Sequence, residues 1–400
     1  MTDRARQRLP GRSVQDPKKV RLPLVFISGA EPSADVHGAS LIRAVLAIQP
    51  DARFVGVAGP RMVAAGCERI FDMTRHSAML LGAVRAVGRG IAMLQAADQH
   101  LRRYPFDAAV LIDSPTLHLP LAAKAQSAGV PVLYYIVPQM WAWGAYRIHK
   151  LRNRVERAAV ILPFEEKYFR DQGVDATFVG HPLIEHIEAT PIDDSKVAQI
   201  RSRGVPVIAL LPGSRKHVVQ QIFPDQLEVA RSIHAAIPDA HFGVSVANAQ
   251  VEPIIRQAID ASKAPAVPYP GQHGELIQAA DLALVASGTS TLEVAFHERP
   301  MIVMYNSSRF FYHLIGRWMI SARHLSLPNI LADREIVPEF MPYYRSTEPI
   351  ADRAIELLGS EDARTRMVDD LRKVVAPLHD GNASKRTAEL LLEMIDKSNH

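Results

Sequence analysis

Four hundred residues, 48% hydrophobic and 22% charged, carry enough apolar surface for two cores, so two domains are expected. A formal net charge of +4 without a basic stripe excludes a nucleic-acid binder, though a basic excess suits an anionic substrate or a membrane surface. The lone Cys67 excludes an internal disulfide or a cysteine metal cluster, and neither a transmembrane-length apolar run nor a signal-peptide core is present, so a soluble or peripherally bound protein in a reducing compartment is expected.

In chain order, residues 1–20 are charged and Pro/Gly-containing and read as a disordered tail. Leu24 to Ile27 reads as a strand running into Ser28-Gly29-Ala30-Glu31-Pro32-Ser33-Ala34-Asp35 and then a helix with Leu41, Ile42, Val45 and Leu46 on one face. Strand, small-residue turn and helix open an α/β ligand-binding unit, which makes Glu31, Ser33 and Asp35 candidates at its functional edge; capping is the alternative for Ser33 and Asp35. Further strands are expected at Phe54 to Val57, Ala108 to Ile112, Val132 to Ile136, Val160 to Leu162 and Thr177 to Val179, so a mostly parallel sheet follows. Between Val57 and Ala108, Met79-Leu80-Leu81 with Arg85, Arg89 and Arg102-Arg103 suits either a lipid-facing surface or an ordinary amphipathic helix.

Asp113 ends an apolar strand and Ser114-Pro115 stops it, leaving a carboxylate that serves as a general base or caps the next turn. His118 is a rival base or a partner. Pro138-Gln139-Met140-Trp141-Ala142-Trp143, followed by Arg147, offers a flat aromatic platform for a sugar or a rigid wall, with a cation beyond it that suits a phosphate, and core packing is the equal alternative for the aromatics. A charged, helix-prone stretch separates this half from a second α/β set with strands at Val207, Phe242 to Val246, Leu282 and Met301. The expected divisions are 21–187, a linker at 188–204, 205–340, and C-terminal helices at 341–400 packing across the domains.

In the second half, two Gly-centred turns end apolar strands. In Pro212-Gly213-Ser214-Arg215, Gly213 admits an anion to the backbone, Ser214 adds a hydroxyl, and Arg215 adds a fixed charge. Ser287-Gly288-Thr289 runs into a helix, where Glu293 either binds ribose hydroxyls or caps. A diphosphate fits between two such turns. Arg309 to Trp318 is cationic and aromatic, suiting a membrane, an acyl chain or a core, and Asn329 has the donors and acceptors for a base or sugar.

These motifs together resemble the lipid-A-disaccharide synthase family. The likeness rests on Glu31-Pro32-Ser33-Ala34-Asp35 with His37-Gly38, Gly56 to Met62, Asp113-Ser114-Pro115, Pro138 to Trp143 with Arg147, Leu162-Pro163-Phe164-Glu165, Gly180-His181-Pro182-Leu183, the two Gly-centred turns with Glu293, and Ser326-Leu327-Pro328-Asn329. The resemblance implies an α/β fold of GT-B type, with two Rossmann-like parallel-sheet domains facing a cleft, and an inverting glycosyltransferase without metal or other cofactor. It implies transfer from UDP-2,3-diacylglucosamine to 2,3-diacylglucosamine 1-phosphate, giving a β-1,6 disaccharide and UDP at the cytoplasmic face of an inner membrane, and it allows a homodimer. Asp113 would deprotonate the acceptor, Arg215 and Ser287 to Thr289 would hold the diphosphate, and Glu293 and Asn329 the nucleoside. No Asp-x-Asp pair for a metal stands in the chain.

The chain departs from the family's pattern at four places. Ala30 and Ala34 replace glycines, Thr116-Leu117-His118 replaces Asp-Phe-Asn, Lys216 to Val219 lacks a usual glutamate, and Arg85 stands where glutamate is common. These changes keep two alternatives open, a paralogous UDP-sugar transferase with another acceptor and a catalytically silent nucleotide-sugar or lipid-binding relative.

Overall fold

A computed structural model describes residues 22–72, 83–142, 144–306, 324–379 and 382–398. The expectations for the N-terminal tail, Met79-Leu80-Leu81, Trp143 and Arg309 to Trp318 fall outside them. The chain divides into two compact units, residues 1–182 with 380–400, and residues 183–379.

The first unit is built on a seven-stranded parallel sheet of order β3-β2-β1-β4-β5-β6-β7: β1 Leu24–Gly29, β2 Arg53–Val57, β3 Cys67–Phe71, β4 Ala108–Ile112, β5 Val132–Tyr135, β6 Arg157–Val160 and β7 Ala176–Phe178. The central strands are buried along their whole length, and all but Ser28 and Gly29 of β1 and β4 are apolar, because both faces are covered. On one face Phe26, Leu111 and Tyr134 pack with Met93 and Leu101 of helix α3 (Ala83–Arg103). On the other, Val25, Ile27 and Val110 pack with Leu41 and Val45 of α1 (Pro32–Ile48) and with Leu391 and Met394 of the helix Ala383–Ser398. The terminal helices are thus divided, this last one belonging to the first unit and Glu348–Gly359 and Glu361–Val375 to the second.

The second unit carries a six-stranded parallel sheet of order β10-β9-β8-β11-β12-β13: β8 Val207–Leu211, β9 His241–Val246, β10 Ala266–Pro270, β11 Leu282–Ala286, β12 Met301–Met304 and β13 Glu339–Phe340. Strands β3 and β10 lacked a legible pattern, because β3 exposes Glu68 and Arg69 and β10 contains two prolines, which edge positions tolerate. Strand β6 ends at Val160, earlier than expected, since Leu162 already caps α6 (Pro163–Asp171). The stretch expected as a linker contains a helix, Asp194–Arg201, whose N-terminus is capped by the Asp193 carboxylate accepting from Ser195 N and Lys196 N.

Candidate active site

In each sheet the strand order reverses beside its first strand, and open α/β sheets bind ligands outside the carboxyl ends of the strands at such a point. In the first unit the reversal lies between β1 and β4, which end at Gly29 and Ile112. Residues Asp113 and Ser114 follow with φ of 54° and 47°. Two successive non-glycine residues in the left-handed region cost about 1–3 kcal/mol each, so the surroundings must hold them there. They do: the Asp113 carbonyl accepts from Tyr134 Oη at 2.6 Å and from His118 Nδ1 at 2.8 Å, while Asp113 N donates to the Tyr135 carbonyl.

His118, a rival base on sequence grounds, is fully buried, and its second ring nitrogen lies 2.8 Å from Ser28 Oγ. Burial pulls its pKa down to about 4, with the backbone hydrogen bonds opposing. It is a neutral ring, Nδ1–H donating to the Asp113 carbonyl and Nε2 accepting from Ser28. Its work is to clamp the turn that presents Asp113.

Around Asp113, Ser114 Oγ donates to Glu31 Oε1 at 3.4 Å, which brings the Glu31 and Asp113 turns together. Glu31 and Ser33 are exposed. Asp35 is buried, its carboxylate accepting from Arg61 N and Met62 N at the start of the helix Pro60–Ala64, so it caps that helix rather than the one it sits on. Gly59 is required there, since a Cβ would lie 2.4 Å from the Asp35 carboxyl carbon. Ala30 and Ala34 are buried and outside the left-handed region, so the turn forms without the family's glycines. Trp141 is half-buried. Its Nε1 donates to Glu165 Oε1 at 2.9 Å and its ring meets Phe164 edge-on at 5.0 Å. Arg147 lies over the Tyr146 ring and donates from Nε to its hydroxyl. Glu165 is fully buried and also accepts from Ile161 N and Leu162 N; burial pushes it up to about 7 against those hydrogen bonds.

In the second unit the reversal lies between β8 and β11, and the two Gly-centred turns leave those two strands side by side. Gly213 has φ 98°, and a Cβ on it would lie 3.9 Å from that of Ala286. Ser214 and Arg215 are exposed at the start of α9 (Lys216–Ala236), which no side chain caps. Ser287, Gly288 and Thr289 lead into α12 (Ser290–Phe296), with open space around the Gly288 Cβ position. Gln226 of α9, fully buried, donates to the carbonyls of Leu284 and Leu211 and ties the two strands together beneath the turns.

Glu293, one turn into α12, is held by a residue that no sequence motif marked. His273 Nε2 lies 2.9 Å from Glu293 Oε2, and His273 Nδ1 lies 2.5 Å from Ser245 Oγ. Burial pushes the Glu293 carboxyl up, but the His273 hydrogen bond and the nearby imidazoles of His273, His297 and His186 hold it below the usual range. Asn329 requires a correction. It is fully buried, donating from Nδ2 to the Val337 carbonyl and Glu339 Oε2 and accepting at Oδ1 from Ile336 N and Val337 N. All the hydrogen-bonding capacity of its side chain is spent on the loop before β13 and on Glu339 at the start of that strand, and none remains for a nucleoside.

The sequence model for lipid-A-disaccharide synthetase matches residues 25–394. The chain belongs to the lipid-A-disaccharide synthase family. A lipid-A-disaccharide synthase of Syntrophus aciditrophicus is 37% identical over 378 residues, 94% of this chain and 98% of the relative. That of Myxococcus xanthus is 34% identical over 379 residues, 93% and 98% of the two chains. Among solved structures, S. aureus MnaA with UDP matches with a TM-score of 0.61 at 12% identity, over 95% of this chain and 97% of that one. MurG of Acinetobacter baumannii matches at 0.54 and 13%, over 93% and 99%. At those identities the likeness speaks for the fold, two Rossmann-like units of GT-B type. As a member of the lipid-A-disaccharide synthase family, the chain is a UDP-sugar glycosyltransferase of lipid A disaccharide synthesis.

Proposed function

We propose that the chain transfers the sugar of UDP-2,3-diacylglucosamine to the 6-hydroxyl of 2,3-diacylglucosamine 1-phosphate with inversion, giving the β-1,6 disaccharide and UDP. The observation that carries this reading is Asp113, set at the reversal of the first sheet in left-handed backbone that His118 and Tyr134 pin by its carbonyl. Asp113 takes the proton of the acceptor hydroxyl as its oxygen attacks the anomeric carbon. The bond to the diphosphate breaks on the opposite face, and UDP leaves with the electron pair. Negative charge then grows on the diphosphate, which Arg215, the Ser214 hydroxyl, the uncapped start of α9 and the Ser287 to Thr289 turn are suited to receive. Glu293, kept ionised by its imidazole neighbours, accepts from the ribose hydroxyls.

The lipid substrates bring the enzyme to the cytoplasmic face of a membrane. Support for this comes from Val87 and Ile91, exposed on α3 near Arg89 and followed by Arg102 and Arg103. No helix of the described residues is long and apolar enough to cross a membrane. The division of labour places the acceptor chemistry in the first unit and the UDP grip in the second, and a homodimer belongs to the same reading.

The test is UDP release from UDP-2,3-diacylglucosamine with and without the acceptor, the lipid product being identified by mass spectrometry. Acceptor-dependent release with a disaccharide is expected, and donor binding without disaccharide would redirect the assignment to another acceptor. Asp113→Asn is expected to lower kcat by about 10²–10⁴ while UDP binding stays near the original value; lost UDP binding would make Asp113 structural.

A further inference from the structure

Ser245, His273 and Glu293 come from three separate elements: the carboxyl-terminal end of β9, the first residue of α11 (His273–Ala279), and α12. They form one hydrogen-bonded row, from Ser245 Oγ through the imidazole to Glu293 Oε2, with links of 2.5 and 2.9 Å. The same three residue types serve nucleophilic catalysis elsewhere, but Ser245 is only 3% exposed and presents no oxygen to a substrate. The row must therefore act at its other end. With a carboxylate on Nε2, that nitrogen carries the proton, and Nδ1 faces the serine hydroxyl, which fixes the ring's orientation.

A glutamate's terminal torsion is broad, and an unanchored carboxylate samples many planes. Binding two vicinal hydroxyls needs one plane. We infer that His273, oriented by Ser245, is a positioning residue that locks the Glu293 carboxylate for a ribose diol and thereby sets the preference for a ribonucleotide over a 2′-deoxyribonucleotide. This rests on the ribose reading of Glu293 above. Removing the anchor costs affinity only for a ligand that uses both hydroxyls, whereas general damage to the pocket weakens both ligands alike.

Calorimetric titration of the full chain with UDP and with 2′-deoxy-UDP tests it, using Glu293→Gln, His273→Ala, His273→Gln and Ser245→Ala. Glu293→Gln is expected to abolish the preference for UDP. His273→Ala is expected to weaken UDP about tenfold, the loss of one charge-assisted hydrogen bond, and to leave 2′-deoxy-UDP within about twofold. His273→Gln, whose amide nitrogen can stand near Nε2, restores most of the UDP affinity, and Ser245→Ala gives a smaller loss of the same selective kind. If Glu293→Gln loses the preference while His273→Ala keeps it, the positioning role is overturned and the ribose reading stands. If Glu293→Gln keeps the preference, the ribose reading itself fails. Equal loss for both nucleotides in His273→Ala, without recovery in His273→Gln, overturns the inference as well.

Discussion

Arg215 shows what a single residue contributes in this protein. Its guanidinium stands exposed where β8 gives way to α9, beside a glycine at φ 98° that lets the backbone turn under it. A charge-assisted hydrogen bond to a diphosphate contributes about 1.5–3 kcal/mol, so Arg215→Ala is expected to weaken UDP about 10- to 100-fold. The loss should shrink as salt rises; unchanged affinity by titration would remove the residue from the phosphate site. Asn329 is the opposite case. As a side chain it could bind a nucleobase edge, yet its environment uses both donors and both acceptor positions within the chain. Residue type told which chemistry was available at each position, and only the neighbours told whether it was already in use.

At the scale of an element, the turn after β4 is the informative one. A strand of five buried residues, a carboxylate and a proline were legible in the sequence, and so was the end of the strand at Ile112. The left-handed backbone at Asp113 and Ser114 was not, since neither residue demands it. It follows from long-range partners, Tyr134 on the neighbouring strand and His118 one turn into α4 (Pro115–Ser127). His118→Leu leaves the Asp113 carbonyl with Tyr134 as its one remaining side-chain donor and takes from the buried Ser28 hydroxyl its imidazole acceptor, the latter at a cost of about 1–3 kcal/mol. The expected result is a lower melting temperature and a fall in kcat larger than any rise in KM. His118→Asn, which can still donate towards the carbonyl, recovers part of kcat. Equal kcat in all three proteins would dissociate the clamp from the chemistry. The Gln226 bridge between β8 and β11 belongs to the same class of feature, a buried side chain whose partners lie 15 and 58 positions away.

Across the first unit as a whole, three buried titratable groups set a pH dependence of stability. Burial takes His118 down to about 4, and burial with the neighbouring His37 takes His181 down to about 3, so the unfolded chain binds more protons below the ordinary histidine value of 6.5. Their contribution is complete above pH 6.5 and is withdrawn as pH falls towards 4. Glu165, raised from 4.5 to about 7, acts in the opposite sense and stabilises the folded state increasingly as pH falls from 7 to 4.5. By linkage it offsets about half of what the histidines withdraw over that interval. Melting temperature should therefore decline gently below pH 6.5 in the parent protein and more steeply in Glu165→Gln. Parallel acid limbs in the two would show that Glu165 carries its charge in the folded state throughout.

The alternation of apolar runs with helical patterns was sufficient for the α/β class, the central strands of both sheets and the Gly-centred turns, because those features depend on the burial and backbone freedom of residues adjacent in the chain. The assembled motifs were sufficient for the family. Tertiary structure decided the rest. It placed β3 and β10 at sheet edges, where their polar and proline residues are tolerated, and sent the last helix back to the first unit. It also turned His118 from a rival base into a clamp, Asn329 into a loop brace, and His273 into the partner of Glu293. Each of these depends on a hydrogen bond or packing contact between segments far apart in the chain, and no local pattern of residues encodes the partner.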